Sequence, residues 1–194
     1  MAMRLQEVHP AVVHFPITLL PVTIGADAIG RLTGSRTLLR IGRWGMTLTA
    51  GTAALAGFFG LIAQEEVVAE GRAADLLVTH RTMNAGFIGL AAAMAMVRAM
   101  RRRPSLRYLL TGLGAIGAVS YSAYLGGKMV YDHGVGVRAA GGVRSGHGPE
   151  LLAERSDEVT RHALEDARQG VMTAARDLRR GRIVPAFRSS EPVH

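Results

Sequence analysis

Four histidines sit at the edges of long apolar runs. Imidazole is the side chain best suited to ligate a transition metal or to exchange a proton near neutral pH. His9 and His14 flank the Ala-Val-Val core of HPAVVHFP, His80 lies in THRTMN, and His133 lies in YDHGVGV. A histidine entering lipid is costly unless it has a partner or a role. Two imidazoles from facing helices, beside glycine-rich surfaces, could hold a b-type haem, with burial and hydrogen bonds setting its potential. The chain has no cysteine. Disulfides, thiolate iron–sulfur clusters and covalent c-type haem are therefore excluded, and any cofactor rests on histidine, carboxylate or shape.

The elements that must position these rings are apolar. Of 194 residues, 48% are hydrophobic, and they fall into four blocks near the roughly 20 residues that cross a bilayer core. The first span runs from about Pro10 to Ile29 or Gly30. Pro10 costs little at a first helical position, whereas Pro16 and Pro21 lie deeper and predict a kink or a loosened first turn. Asp27 stands four residues before Arg31 and is read as a local pair at the membrane edge. The second span covers about Ile41 to Ala63, with Ala53, Gly57 and Ala56, Gly60 at a spacing that lets helices approach closely. Trp44 near its basic end suits the interface. The third covers about Leu76 to Val97, with His80 and Asn84 one turn apart. The fourth covers about Leu106 to Tyr131, where Gly114, Ala118, Ser122 and Gly126 read as one small stripe, and Gly134 and Gly136 end it after His133.

The formal charge of +8 is explained by location rather than by nucleic acid. Arg31, Arg36, Arg40 and Arg43 lie between the first two blocks, and Arg98, Arg101, Arg102, Arg103 and Arg107 between the last two. Neither connection holds an acidic residue, which is a positive-inside pattern. Both termini and the acidic connection Gln64–Glu66 then lie outside the cytoplasm, and His9, His14, His80 and His133 gather on that side. Ala26-Asp27-Ala28 fits a signal-peptide cleavage site, but Arg4 is opposed by Glu7, so an uncleaved anchor is expected.

The expected fold is all-α, a four-helix transmembrane bundle over 1–140 with an extramembrane tail over 141–194. In that tail nine arginines are nearly balanced by eight acidic residues from 144 onward. Leu152, Val159, Ala163, Ala167, Val171, Ala174 and Leu178 recur at helical steps and predict an amphipathic helix over about 150–180. Beyond Gly181 fraying is expected.

HPAVVHFPI near the N-terminus, THRTMN in the third span and YLGGKMVYDHGVGV at 124–137 resemble a bacterial four-helix membrane family catalogued as domain of unknown function 2231. The resemblance covers about residues 7–137, and the matched positions are His9, Pro10, His14, Phe15, Pro16, His80, His133, Gly134 and Gly136. It implies an integral membrane protein. Some members are joined to Rieske-type iron–sulfur domains, which hints at electron transfer. The family has no settled activity, so the resemblance informs architecture more than chemistry.

The first expectation is a haem b electron-transfer module in the bacterial inner membrane. His14 and His80 are the axial ligands, His133 substitutes for either, and Asn84 and Gly126 line the site. His9 is the weakest candidate, because Pro10 is read as holding it outside the helix. The second is a non-catalytic accessory subunit of a larger respiratory or photosynthetic membrane complex, with membrane-protein partners or self-association. The third is a copper or zinc site from His9, His14, His80 and Glu66. Hydrolytic chemistry finds no nucleophile elbow, HExxH motif or phosphate-binding glycine loop.

Overall fold

A computed structural model describes residues 4–144, 151 and 156–188. Among the described residues no strand forms, and Val67 and Val143 make an isolated antiparallel bridge. The principal elements are α1 (Val8–Val12), α2 (His14–Thr33), α3 (Arg36–Glu66), α4 (Gly71–Met100), α5 (Leu106–Tyr131) and α6 (Ser156–Arg179). The chain is thus all-α, with four helical stretches long and apolar enough to span a membrane: Val8–Thr33, α3, α4 and α5. At 31 and 30 residues, α3 and α4 are about 45 Å long, against a hydrocarbon core of about 30 Å.

The first span breaks at Val13, where α1 gives way to α2. Pro16 falls in the first turn of α2, where a missing N–H is harmless, and Pro21 is carried in its interior. His9 lies within α1, and so within the helical stretch Val8–Thr33 that forms the first span, a correction to its expected place outside the helix. Pro10 is itself in the first turn of that short helix, where proline is tolerated.

Contacts divide the chain into two compact units. One comprises 10–57 and 84–121, with a core of Leu20, Ile24, Met46, Ala53, Phe87, Ala91, Met94, Tyr108, Ala115 and Val119. Glycines admit its larger side chains: Gly112 receives Ile24 and Gly57 receives Ile88. Outward positions are apolar, with Leu48, Leu110 and Leu113 each 57–59% exposed, as a helix surface facing lipid requires.

The other unit comprises 1–9, 58–83 and 122–194. One of its cores gathers Ala73, Leu76, Leu125, Met129, Val135 and Ala186; another gathers Leu5, Ile62 and Ala167. Gly134 at φ +65° and Gly136 at φ +78° turn the chain out of α5, and the following loop bonds back, Val68 N–H to Gly142 O at 3.0 Å and Arg144 N–H to Glu66 O at 2.9 Å. Fraying past Gly181 is corrected for residues 182–188. Ala186 is buried, its N–H donates to Thr79 Oγ1 at 3.0 Å, and its carbonyl accepts from Arg72 at 3.1 Å.

Two sequence stripes are also corrected. Gly114 and Ala118 are exposed, whereas Ala115, Val119, Ser122, Leu125 and Met129 are buried. Each four-residue step overshoots a 3.6-residue turn by about 40°, so a stripe at that spacing rotates off its face within three steps. On α6, Val159, Ala163, Ala167 and Ala174 are wholly or partly buried, but Val171 and Leu178 are 55% and 56% exposed. Leu152 lies outside the described residues.

Candidate functional site

His80 is the histidine most firmly built into its surroundings. Its Nδ1 lies 2.8 Å from the Ser122 carbonyl and 3.1 Å from Ser122 Oγ. A carbonyl oxygen only accepts, so Nδ1–H is the donor, and in the neutral ring the lone pair belongs to Nε2. One turn beyond Ser122, Gly126 leaves room for the imidazole: a methyl group there would stand 3.3 Å from His80 Cε1. The α4–α5 contact therefore depends on a small hydroxyl residue and a glycine at that spacing. His9 packs similarly on Gly60 of α3, where a methyl group would stand 3.1 Å from its Cε1, and it lies within electrostatic reach of His80.

The remaining candidates are placed differently. His133 follows α5 and is exposed, in the same unit as His80. His14, the first residue of α2, is exposed and belongs to the other unit, as does half-buried Asn84. His9, His80, His133 and Gly126 thus share one unit, and His80 and Gly126 touch. Among the described residues no group of three His, Asp or Glu side chains is arranged to hold a metal ion. Glu66, offered for a copper or zinc site, is buried at the end of α3.

The strongest polar constellation was not read from the sequence. Asp27 does not pair with Arg31, and that reading is corrected. Its carboxylate takes Arg98 Nε at 2.9 and 2.8 Å and Arg98 Nη2 at 2.8 Å, with both side chains fully buried. Arg98 also donates to the carbonyls of Leu39 at 2.7 Å and Arg101 at 2.7 Å. Arg31 turns away to the Pro104 carbonyl at 2.7 Å. Gly42 makes the space: a methyl group there would collide with the Asp27 carboxylate. A forked guanidinium on a planar carboxylate is the geometry that survives burial, since both charges exchange water for several hydrogen bonds at once. The arrangement ties α2, α3 and α4 together. Only the isolation of Arg98 from the arginine run that follows it hinted at a separate role.

A second network holds α6. Arg81 donates to Gln64 Oε1 at 3.1 Å and Asp177 Oδ2 at 2.7 Å. Arg182 bridges Asp177 at 3.3 Å and Asp75 at 3.0 Å. At Gly170, α6 approaches α3 so closely that a methyl group would stand 2.6 Å from the Leu61 carbonyl and 2.8 Å from Gln64 Nε2. The helix buries that face and presents Leu164, Val171, Met172 and Leu178 outward.

A family model described as a predicted membrane protein, DUF2231, matches residues 6–139. No curated protein and no solved structure matches.

Proposed function

We propose that this chain, which belongs to the DUF2231 family of predicted membrane proteins, is a non-catalytic membrane assembly subunit that pairs with a second copy of itself through α6. The observation that carries this reading is the second apolar face of that helix. Leu164, Val171 and Leu178 recur at seven-residue steps and are 55–60% exposed, the spacing of a helix–helix seam. The docked face of α6 is already satisfied by α3 and α4, so this seam is additional.

Charge supports a second copy running antiparallel. Residues 156–167 carry Asp157, Glu158, Glu165 and Asp166 against Arg161, and residues 168–180 carry Arg168, Arg176, Arg179 and Arg180 against Asp177. A two-fold axis at Val171 sets the acidic half of one helix beside the basic half of the other and Leu164 opposite Leu178. Covering these half-exposed side chains contributes about 1 kcal/mol each.

The absence of native cysteine makes the test direct. In native membranes, Val171→Cys is expected to cross-link to itself with a short bismaleimide. Leu164→Cys is expected to cross-link with Leu178→Cys but not with itself. A monomer in mild detergent together with no Val171→Cys cross-link removes the reading. Self-cross-linking of Leu164→Cys overturns the antiparallel pairing. A Val171 thiol reached only by membrane-soluble reagents assigns the seam to lipid instead.

One observation favours a second reading, a haem b electron-transfer module. His80 has its tautomer fixed through Nδ1, which is how ligating histidines are held, and Gly126 admits its ring against α5. His80 would supply one nitrogen ligand, with His133 of the same unit the other, and the haem would supply the one-electron chemistry. The visible spectrum of the purified protein, with and without His80→Ala, tests it; no Soret absorption, or one that His80→Ala leaves unchanged, removes it.

A further inference from the structure

The unit that holds α6 contains a half-open cavity of about 420 Å³, and five of its fourteen lining residues are arginines: Arg81, Arg144, Arg176, Arg180 and Arg182. Two carboxylates, Glu65 and Asp177, share the lining. Their distribution decides the charge that is left. Asp177 is committed to Arg81 at 2.7 Å and Arg182 at 3.3 Å, and Arg182 has Asp75 as well at 3.0 Å. Glu65 Oε1 accepts from Gln64 at 3.2 Å. Arg144, Arg176 and Arg180 have no side-chain ion pair among the described residues.

These three come from two parts of the chain. Arg144 follows the loop that bonds back to Glu66, Arg176 lies in the last turn of α6, and Arg180 follows it. Like charges brought to one cavity repel unless an anion sits among them, and guanidinium matches tetrahedral oxyanions through paired N–H donors. Arg81 and Arg182 are already neutralised by their pairs with Asp177 and Asp75.

We infer that this cavity is a binding site for a phosphoryl anion, held by Arg144, Arg176 and Arg180. The phosphoryl group belongs either to a small soluble phosphate or to an anionic phospholipid headgroup, and the cavity volume admits both. The site draws on Arg176 and Arg180, which also belong to the basic half of the pairing proposed above, but not on the Leu164–Val171–Leu178 seam. Cross-linking at Val171 reports on the pairing and anion titration on the site, so the two are tested separately.

The experiment uses the full chain, purified in mild detergent and in nanodiscs. In detergent at constant ionic strength, inorganic phosphate is titrated against chloride while thermal unfolding is followed. In nanodiscs, phosphatidylglycerol replaces phosphatidylcholine without added phosphate. Saturable stabilisation by phosphate identifies a soluble anion. Stabilisation by phosphatidylglycerol alone identifies a headgroup. Each of Arg144→Gln, Arg176→Gln and Arg180→Gln is expected to weaken the response about tenfold, the loss of one charge-assisted contact. Arg101→Gln with Arg102→Gln serves as a control that removes charge elsewhere, and circular dichroism establishes that each variant is folded. The inference is overturned if neither phosphate nor phosphatidylglycerol stabilises the wild type, or if the cavity and control variants respond alike.

Discussion

Replacing Asp27 by alanine isolates the energetics of the buried pair. The substitution leaves Arg98 fully buried with only the Leu39 and Arg101 carbonyls to receive its N–H groups. Removing one partner of a buried ion pair costs about 3–5 kcal/mol, because the other charge is stranded. For a chain of this length that is a fall of about 10 °C in unfolding temperature. Replacing both partners, as Asp27→Leu with Arg98→Met, removes the stranded charge. What remains is the loss of the two carbonyl contacts, about 1 kcal/mol each. The double variant is therefore expected to be more stable than Asp27→Ala, by about 1–3 kcal/mol on these figures. Thermal unfolding in mild detergent, followed by circular dichroism, measures both. The reasoning fails if Asp27→Ala melts within about 1 kcal/mol of wild type, or if the double variant costs the sum of Asp27→Ala and Arg98→Met.

Gly42→Ala, whose new methyl would collide with the Asp27 carboxylate, is expected to destabilise in the same assay by about 1–3 kcal/mol. Gly170→Ala pushes α6 off the Leu61 carbonyl and should raise proteolytic cleavage within 156–188 while leaving the spans intact. Arg81→Gln, which loses both Asp177 and Gln64, should loosen the same helix by about 1–3 kcal/mol, measured as hydrogen exchange along α6. Gly126→Leu should displace the His80 ring from Ser122, and an unchanged imidazole NMR signal would count against the packing described.

The architecture was legible because hydropathy and length report directly on what a bilayer demands. The four spans follow from apolar runs, and the structure extends them by a turn or more of polar residues at several ends, such as Gln64–Glu66 on α3. The family resemblance rested on motifs inside the matched 6–139 segment. The site was less legible for reasons of distance. Asp27 and Arg98 are 71 residues apart, and a local partner at Arg31 satisfied every rule available from a single chain. The same holds for Arg81 and Asp177, 96 residues apart. Periodicity failed on α6 for a different reason. Steps of three, four and seven read as one stripe, whereas the helix carries two apolar faces, one docked on α3 and α4 and one exposed.

The separation of Asp27 from Arg98 also bears on biogenesis. Chain elongation delivers the carboxylate within the first hydrophobic segment long before its guanidinium has left the ribosome. Until the third segment inserts, the growing protein carries this acidic group without its native counter-ion, which favours a loosely held first hairpin that tightens when α4 arrives. A truncated product ending after the second segment would therefore be a substrate for membrane quality control, whereas one ending after the third would already have closed its lock.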